Sequence, residues 1–239
     1  MAKIFIGIPK HNKFDYFKDS MSQFLPQVKE EHEIELLEVS EGVLMDNQNV
    51  IAEAFLQSNK DYLLLLEDDH WGHTLEMLNA LIIADTYVCA INYYSRHQGR
   101  LSCLMKYTYN KDYRKAYKQA SYDNGFHEVD LVPFGMTLIK RQVFDYLDKP
   151  YFDVNEFYEL HQKDVVNKAT DQNFSNKLKA KGINPVGCFD YILPHRDVTE
   201  DTYKELRKED INKLISSFED KVVEAGFKRL KENRLNRNI

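Results

Sequence analysis

A chain of 239 residues with 43% hydrophobic and 13% aromatic residues, and only 9 Gly and 6 Pro, has the apolar material for one sizeable α/β domain or two small ones sharing a cleft. That excludes a disordered or collagen-like chain. The formal charge of −6 argues against a whole-protein nucleic-acid binder, although averages hide local patches.

Lys3 to Pro9 (KIFIGIP) is short, isoleucine-rich and closed by proline, and reads as a buried first strand. A helical pattern follows from about Phe14 through Phe17, Met21, Phe24 and Leu25, with Pro26 near its end. Ile34 to Val39 is a second strand. Asn47 to Gln57 is an amphipathic helix with Val50, Ile51, Ala54 and Phe55 on one face. Four consecutive leucines, Leu63 to Leu66, suit a strand covered on both faces, as in a parallel sheet flanked by helices. A helix from Leu75 to Ile83 and a strand from Tyr87 to Asn92 continue the alternation.

From Tyr93 to Tyr122 the character changes: seven of the fifteen tyrosines fall here among Arg96, Arg100, Lys106, Lys111, Arg114, Lys115 and Lys118, which predicts a hairpin or long surface excursion. Val129 to Val132 reads as a strand, and Phe134 to Leu147 restores the core pattern. Asn155 to Thr170 is polar, Phe174 to Lys181 a helix, and Val186 to Ile192 a last strand. The tail from Thr202 is a charged helix striped by Leu206, Ile211, Leu214, Ile215 and Phe218. Alternating strands and helices predict a Rossmann-like, doubly wound α/β fold whose ligands bind beyond the carboxyl ends of its strands.

Neither GxGxxG nor GxxxxGK[ST] occurs, so a nucleotide's phosphates need a counter-charge other than a glycine-rich loop. Glu67-Asp68-Asp69-His70 follows the leucine strand directly. In an extended segment Glu67 and Asp69 point one way and Asp68 and His70 the other. Adjacent carboxylates repel unless a cation or water relieves them, and a hard ion such as Mg²⁺ or Mn²⁺ suits their oxygens. A solvated acidic turn capping the next helix is the plainer alternative.

These stretches resemble nucleotide-sugar glycosyltransferases of the GT-A type, especially compact bacterial and viral members related to family 2, from Lys3 to about Asp197. The strand ending in Pro9 looks like that family's nucleotide-binding first strand. Gly42 to Phe55 (GVLMDNQNVIAEAF) resembles its segment in which an Arg-Asn pair opens a helix, with Gln48 in the arginine's place and Asn49 kept. Leu63 to Asp69 (LLLLEDD) looks like its strand and Asp-x-Asp motif.

The resemblance implies Asp69 as metal ligand, Glu67 as a water-mediated ligand or ribose contact, and Asp68 as its substitute. It sets Pro9 and the Asp46 to Asn49 region beside the nucleoside, and Gly135, within Pro133-Phe134-Gly135, beside the donor sugar. Thr170 to Gly182 (TDQNFSNKLKAKG) looks like the Glu-Asp segment near the acceptor, with Thr170 in the glutamate's place. Asp171 is then the base of an inverting reaction, or only a positioning group in a retaining one; it can equally cap its helix. Pro194-His195-Arg196 resembles the late histidine that completes the metal shell, with Arg196 toward phosphate charge.

The expected domains are a GT-A-like unit, 1–200, with a nucleotide-binding half at 1–92 and an acceptor half at 93–200, and a C-terminal helical extension, 201–239. The expected function is metal-dependent transfer, with Mn²⁺ or Mg²⁺, of a sugar from a nucleoside-diphosphate donor such as a UDP-sugar to a glycan or other acceptor hydroxyl. A nucleic-acid acceptor is not favoured. A non-catalytic sugar-nucleotide or glycan-binding module of the same fold, and a nucleotidyltransferase, remain open. Trp71 can stack on a sugar or pack in the core. Cys89, Cys103 and Cys188 match no metal-binding pair and cannot all pair with one another, and no apolar signal region or stretch approaching the ~20 residues of a membrane helix is present. A soluble protein of a reducing cytoplasm is therefore the expectation.

Overall fold

The computed structural model describes residues 1–10, 15–40, 42–93, 124–153 and 170–195 in full and the backbone of 105–110 and 113–119. Thus the polar stretch at 154–169, most of the tyrosine-rich excursion, Cys103, Arg196 and the C-terminal tail lie outside the described residues. Those described belong to one unit, Met1–Val198.

Nine strands and five helices are described. They are β1 (Lys3–Pro9), α1 (Asp15–Glu31), β2 (Glu33–Val39), α2 (Leu44–Gln57), β3 (Tyr62–Leu66), α3 (Leu75–Ile83) and β4 (Val88–Tyr93), followed by the hairpin strands β5 (Met105–Asn110) and β6 (Tyr113–Gln119). Then come β7 (Phe126–Glu128), β8 (Met136–Lys140), α4 (Val143–Tyr146), α5 (Thr170–Ala180) and β9 (Val186–Leu193).

Seven strands form one sheet in the order β2-β1-β3-β8-β4-β9-β7. The strands β1, β2, β3, β4 and β9 run in one direction, while β7 and β8 run against them. The protein is therefore a mixed α/β fold, mostly parallel, with helices on both faces. No helix among the described residues is long and apolar enough to cross a membrane.

Period-two burial explains β3. Leu63 and Leu65 enter the core beneath α2 and α5, while Leu64 and Leu66 enter the core beneath α1 and α3, and all four are 0% exposed. β3 pairs with the parallel β1 on one side and the antiparallel β8 on the other, within a mostly parallel sheet. At Gly7 on β1 a Cβ would overlap the Ile51 side chain, so glycine lets α2 lie close to the sheet.

Three expectations change. Pro26 does not end α1, which runs on to Glu31 because Phe24 and Val28 are buried against the sheet, and that burial outweighs the missing N–H. Val50 is 51% exposed, since α2 begins at Leu44 and turns Asn47, Gln48, Ile51, Ala52 and Phe55 inward. Val129 to Val132 is not a paired strand. It is a crossing segment whose apolar side chains are buried and whose Val132 N–H donates to Ser175 Oγ on α5 at 3.1 Å; the paired strand is β7, just before it.

Candidate metal centre

One edge of the sheet collects the carboxyl ends of the five like-directed strands. Pro9 closes β1 there, Tyr93 closes β4, and Gly135 leads into the reversed β8. The first turn of α2 lies at the same edge, because that helix returns from β2 to the start of β3. α5 also descends from it. Phe174 meets Phe134, Ser175 meets the Val132 amide, and Lys179 pairs with Asp130, so Thr170 and Asp171 lie toward Gly135.

After Leu66 the chain does not stay extended. His70 N–H reaches back to the Glu67 carbonyl at 3.4 Å, closing a tight turn. The expected alternation of Glu67 and Asp69 against Asp68 and His70 is thereby corrected, for Asp69 and His70 now converge. Beyond the turn the chain pairs with the segment leaving β9. His70 bridges His195, and Trp71 N–H donates to the Pro194 carbonyl at 3.1 Å. This crossing brings together residues from strands that β8 and β4 separate.

His195 Nε2 donates to Asp69 Oδ2 at 3.1 Å, and His70 Nδ1 lies 3.0 Å from Asp69 Oδ1. One ligand atom from each of the three residues falls within 4.8 Å of the others, a grouping able to hold a metal ion. His70 Nε2 and His195 Nδ1 are buried without a hydrogen-bond partner, and His70 is 0% exposed. Buried imidazoles left unsatisfied, beside a carboxylate, are what coordination to a cation would relieve.

Electrostatics at Asp69 and His70 favour an ionised carboxylate beside a neutral imidazole. Burial pulls the Asp69 carboxyl upward, but the His195 and His70 side chains outweigh it and hold the group far below the usual carboxylate range. Burial also lowers His70, more than the Asp69 charge raises it, so its imidazole is neutral. Tyr93 packs edge-on to His70 with centroids 4.3 Å apart and stacks on His195 at 5.8 Å.

Gly135 belongs to this cluster. A Cβ there would stand 2.8 Å from His70 Nε2 and 2.8 Å from Tyr93 Cε1. The room that glycine leaves is taken by the protein's own imidazole. Phe134 is core, packed on Phe152 and Phe174.

His73, a few residues further on, is structural in its contacts. Ser20 Oγ accepts its backbone N–H at 3.1 Å and lies 3.0 Å from Nδ1. Burial pushes this imidazole down to about 3, so it is neutral, and its Nδ1 shares a hydrogen bond with the hydroxyl.

The remaining sequence-predicted residues scatter around the edge. Pro9 is buried, Glu67 is half-buried and Asp68 is buried. Asp46 is exposed in the first turn of α2. The Asn49 amide bonds the Phe152 backbone, donating to its carbonyl at 2.6 Å and accepting its N–H at 3.1 Å. Gln48 is 0% exposed with neither amide atom hydrogen-bonded, one turn before Ile51 and so nearer the carboxyl edge. Asp171 sits in the first turn of α5. Its Oδ1 accepts the Gln172 N–H at 2.7 Å, and burial pushes its carboxyl up to about 6.

The sequence reading missed His70 and Tyr93. The adjacent Asp-Asp pair, favourable in turns, was the available signal that the strand ends before Asp69.

No family model matches the chain, and no curated protein matches it by sequence. Among solved structures it is similar to the crystal structure of A197 from STIV, with a TM-score of 0.53 at 16% identity over 81% of this chain and 85% of that one. It is also similar to a mycobacterial protein, with a TM-score of 0.49 at 8% identity over 84% of this chain and 69% of that one. A looser likeness joins it to 4-diphosphocytidyl-2C-methyl-D-erythritolsynthase from Anaerococcus prevotii DSM 20548, with a TM-score of 0.37 at 10% identity over 90% and 96%. At such identity the first likeness is one of fold, and the other two add nothing to it.

Proposed function

We propose that the chain is a metal-dependent glycosyltransferase of the GT-A type, moving a sugar from a nucleoside-diphosphate donor, with a UDP-sugar as the first candidate, to an acceptor hydroxyl. The observation that carries this reading is the Asp69, His70 and His195 grouping at the carboxyl edge of the sheet, where open α/β sheets bind their ligands. The chain has no glycine-rich phosphate loop, so a cation at that edge answers the need for counter-charge.

Asp69 and His195 hold the ion in this reading, with Glu67 and Asp68 beside it. A divalent ion bound there supplies positive charge to the departing diphosphate, an effect of several kcal/mol. Pro9, Asp46 and the buried amide of Gln48 border the nucleoside, and Arg196 follows His195 toward phosphate charge. Asp171 accepts the proton of the acceptor hydroxyl as its oxygen attacks the anomeric carbon, inverting it. A carboxyl at about 6 is a stronger base than an ordinary aspartate yet mostly ionised at neutral pH.

Incubation with a panel of sugar nucleotides and Mn²⁺ tests the reading: released nucleoside diphosphate, dependent on the ion, is expected. Tight binding without turnover would make the protein a binding module, and pyrophosphate exchange would make it a nucleotidyltransferase. For the base, Asp171→Asn is expected to keep donor binding and lose about 100-fold or more in transfer. Full transfer by that variant would remove Asp171 from the role.

A further inference from the structure

Two imidazoles and one carboxylate are a different donor set from the oxygen-rich site that an acidic motif suggests. Imidazole suits the borderline transition ions, whereas Mg²⁺ and Ca²⁺ take oxygen ligands almost exclusively. We propose that His70 is a direct third ligand beside Asp69 and His195, and that the resulting two-nitrogen, one-oxygen site selects a transition ion such as Mn²⁺, Fe²⁺, Co²⁺ or Zn²⁺ and rejects Mg²⁺. This inference rests on the reading of the edge as a metal centre given above.

The spacing fits. Ligand atoms about 2.1 Å from one ion stand roughly 3.0 to 3.4 Å apart at octahedral or tetrahedral angles. Here the two imidazole nitrogens lie 3.0 and 3.1 Å from the two oxygens of the Asp69 carboxylate, and the three residues' ligand atoms are within 4.8 Å of one another.

A hydrogen-bonded His-Asp-His relay is the competing account, and the unsatisfied atoms tell against it. A relay through Asp69 engages only His70 Nδ1 and His195 Nε2 and leaves His70 Nε2 and His195 Nδ1, both buried, without a hydrogen-bond partner. Leaving a buried polar atom unpaired costs about 1 to 3 kcal/mol. The ring is also held in place. Tyr93 packs against the His70 ring, and a Cβ at Gly135 would overlap it. Three protein ligands leave open positions for a diphosphate and water.

The test uses the full chain and metal ions alone. Mn²⁺ is loaded to one equivalent, and pulsed electron paramagnetic resonance reads couplings from coordinated ¹⁴N; Mg²⁺ is then titrated in competition. Expected are couplings from two imidazoles, reduced to one in His70→Gln, and retention of Mn²⁺ against a 100-fold excess of Mg²⁺. Two couplings that persist unchanged in folded His70→Gln, or displacement of Mn²⁺ by equimolar Mg²⁺, would overturn the inference while leaving a metal centre standing. Failure of every divalent ion to bind would overturn both. Should His70→Gln not fold, the wild-type couplings and the Mg²⁺ competition decide alone: two imidazoles with Mg²⁺ rejection support the inference, and fewer or ready displacement overturns it.

Discussion

The leucine strand and the four residues after it sit side by side in the chain and follow opposite rules. In β3 every side chain from Leu63 to Leu66 finds an apolar partner on one face or the other, and the backbone pairs on both sides with β1 and β8. From Glu67 to His70 the chain buries charge and imidazole, and leaves ring nitrogens without partners. A fully satisfied strand carries stability, whereas buried ring nitrogens at its end are tolerated where a ligand completes them.

That contrast can be broken by substitution. The largest effect expected is from Asp69→Ala, which should abolish metal-dependent nucleotide binding by calorimetry while the circular dichroism spectrum and cooperative unfolding remain. Unchanged affinity would remove Asp69 from the site. Leu65→Ala, one strand-turn away, should do the reverse. It is expected to lower stability by about 2 to 5 kcal/mol in denaturant unfolding, because its cavity lies in the core beneath α2, and to leave metal affinity per folded molecule within a few-fold. Equal loss of ion binding in both variants would erase the distinction.

The two nearby buried histidines sharpen it further. His73 is held below its unfolded value, at about 3, chiefly by burial. Its folded form therefore binds fewer protons than the unfolded chain between about pH 6.5 and pH 3, and its contribution to stability is present above that window and lost as pH falls through it. Unfolding of the wild type compared with His73→Gln should show an extra slope of up to about 1.4 kcal/mol per pH unit in that window, greatest well below pH 6. Parallel profiles would mean that His73 is not held neutral.

The smallest effect concerns Gln48, whose buried amide has no hydrogen-bond partner. Gln48→Met, close in shape, should raise stability by about 1 kcal/mol and weaken nucleotide binding. A variant less stable than wild type would show that the amide is satisfied within the fold.

Much of the fold was legible because its elements obey single periods. Leu75 to Ile83 reads directly as a helix, and Thr74 caps it by accepting the Met77 N–H at 3.3 Å. Leu63 to Leu66 reads as a doubly covered strand. What was not legible depends on neighbours distant in sequence. Val129, Val132 and Phe134 look like a strand but are buried by packing against α5, and Pro26 lies inside a helix held by tertiary burial. At the site, Asp69 and His195 were named from the acidic turn and the late Pro-His-Arg. His70 was set on the opposite face because strand alternation was carried one turn too far. Gly135 is set by the sequence beside a donor sugar, and in the structure a histidine ring from the same chain lies against it.

The account rests on a cation at the carboxyl edge of β3 bridging Asp69 and His195 to a diphosphate. A crystal grown with Mn²⁺ and UDP, measured at the manganese absorption edge, tests this most directly. The predicted result is one anomalous peak within about 2.3 Å of an Asp69 oxygen and a His195 nitrogen, with the diphosphate on its open side. Ordered UDP with no peak between those residues would contradict it.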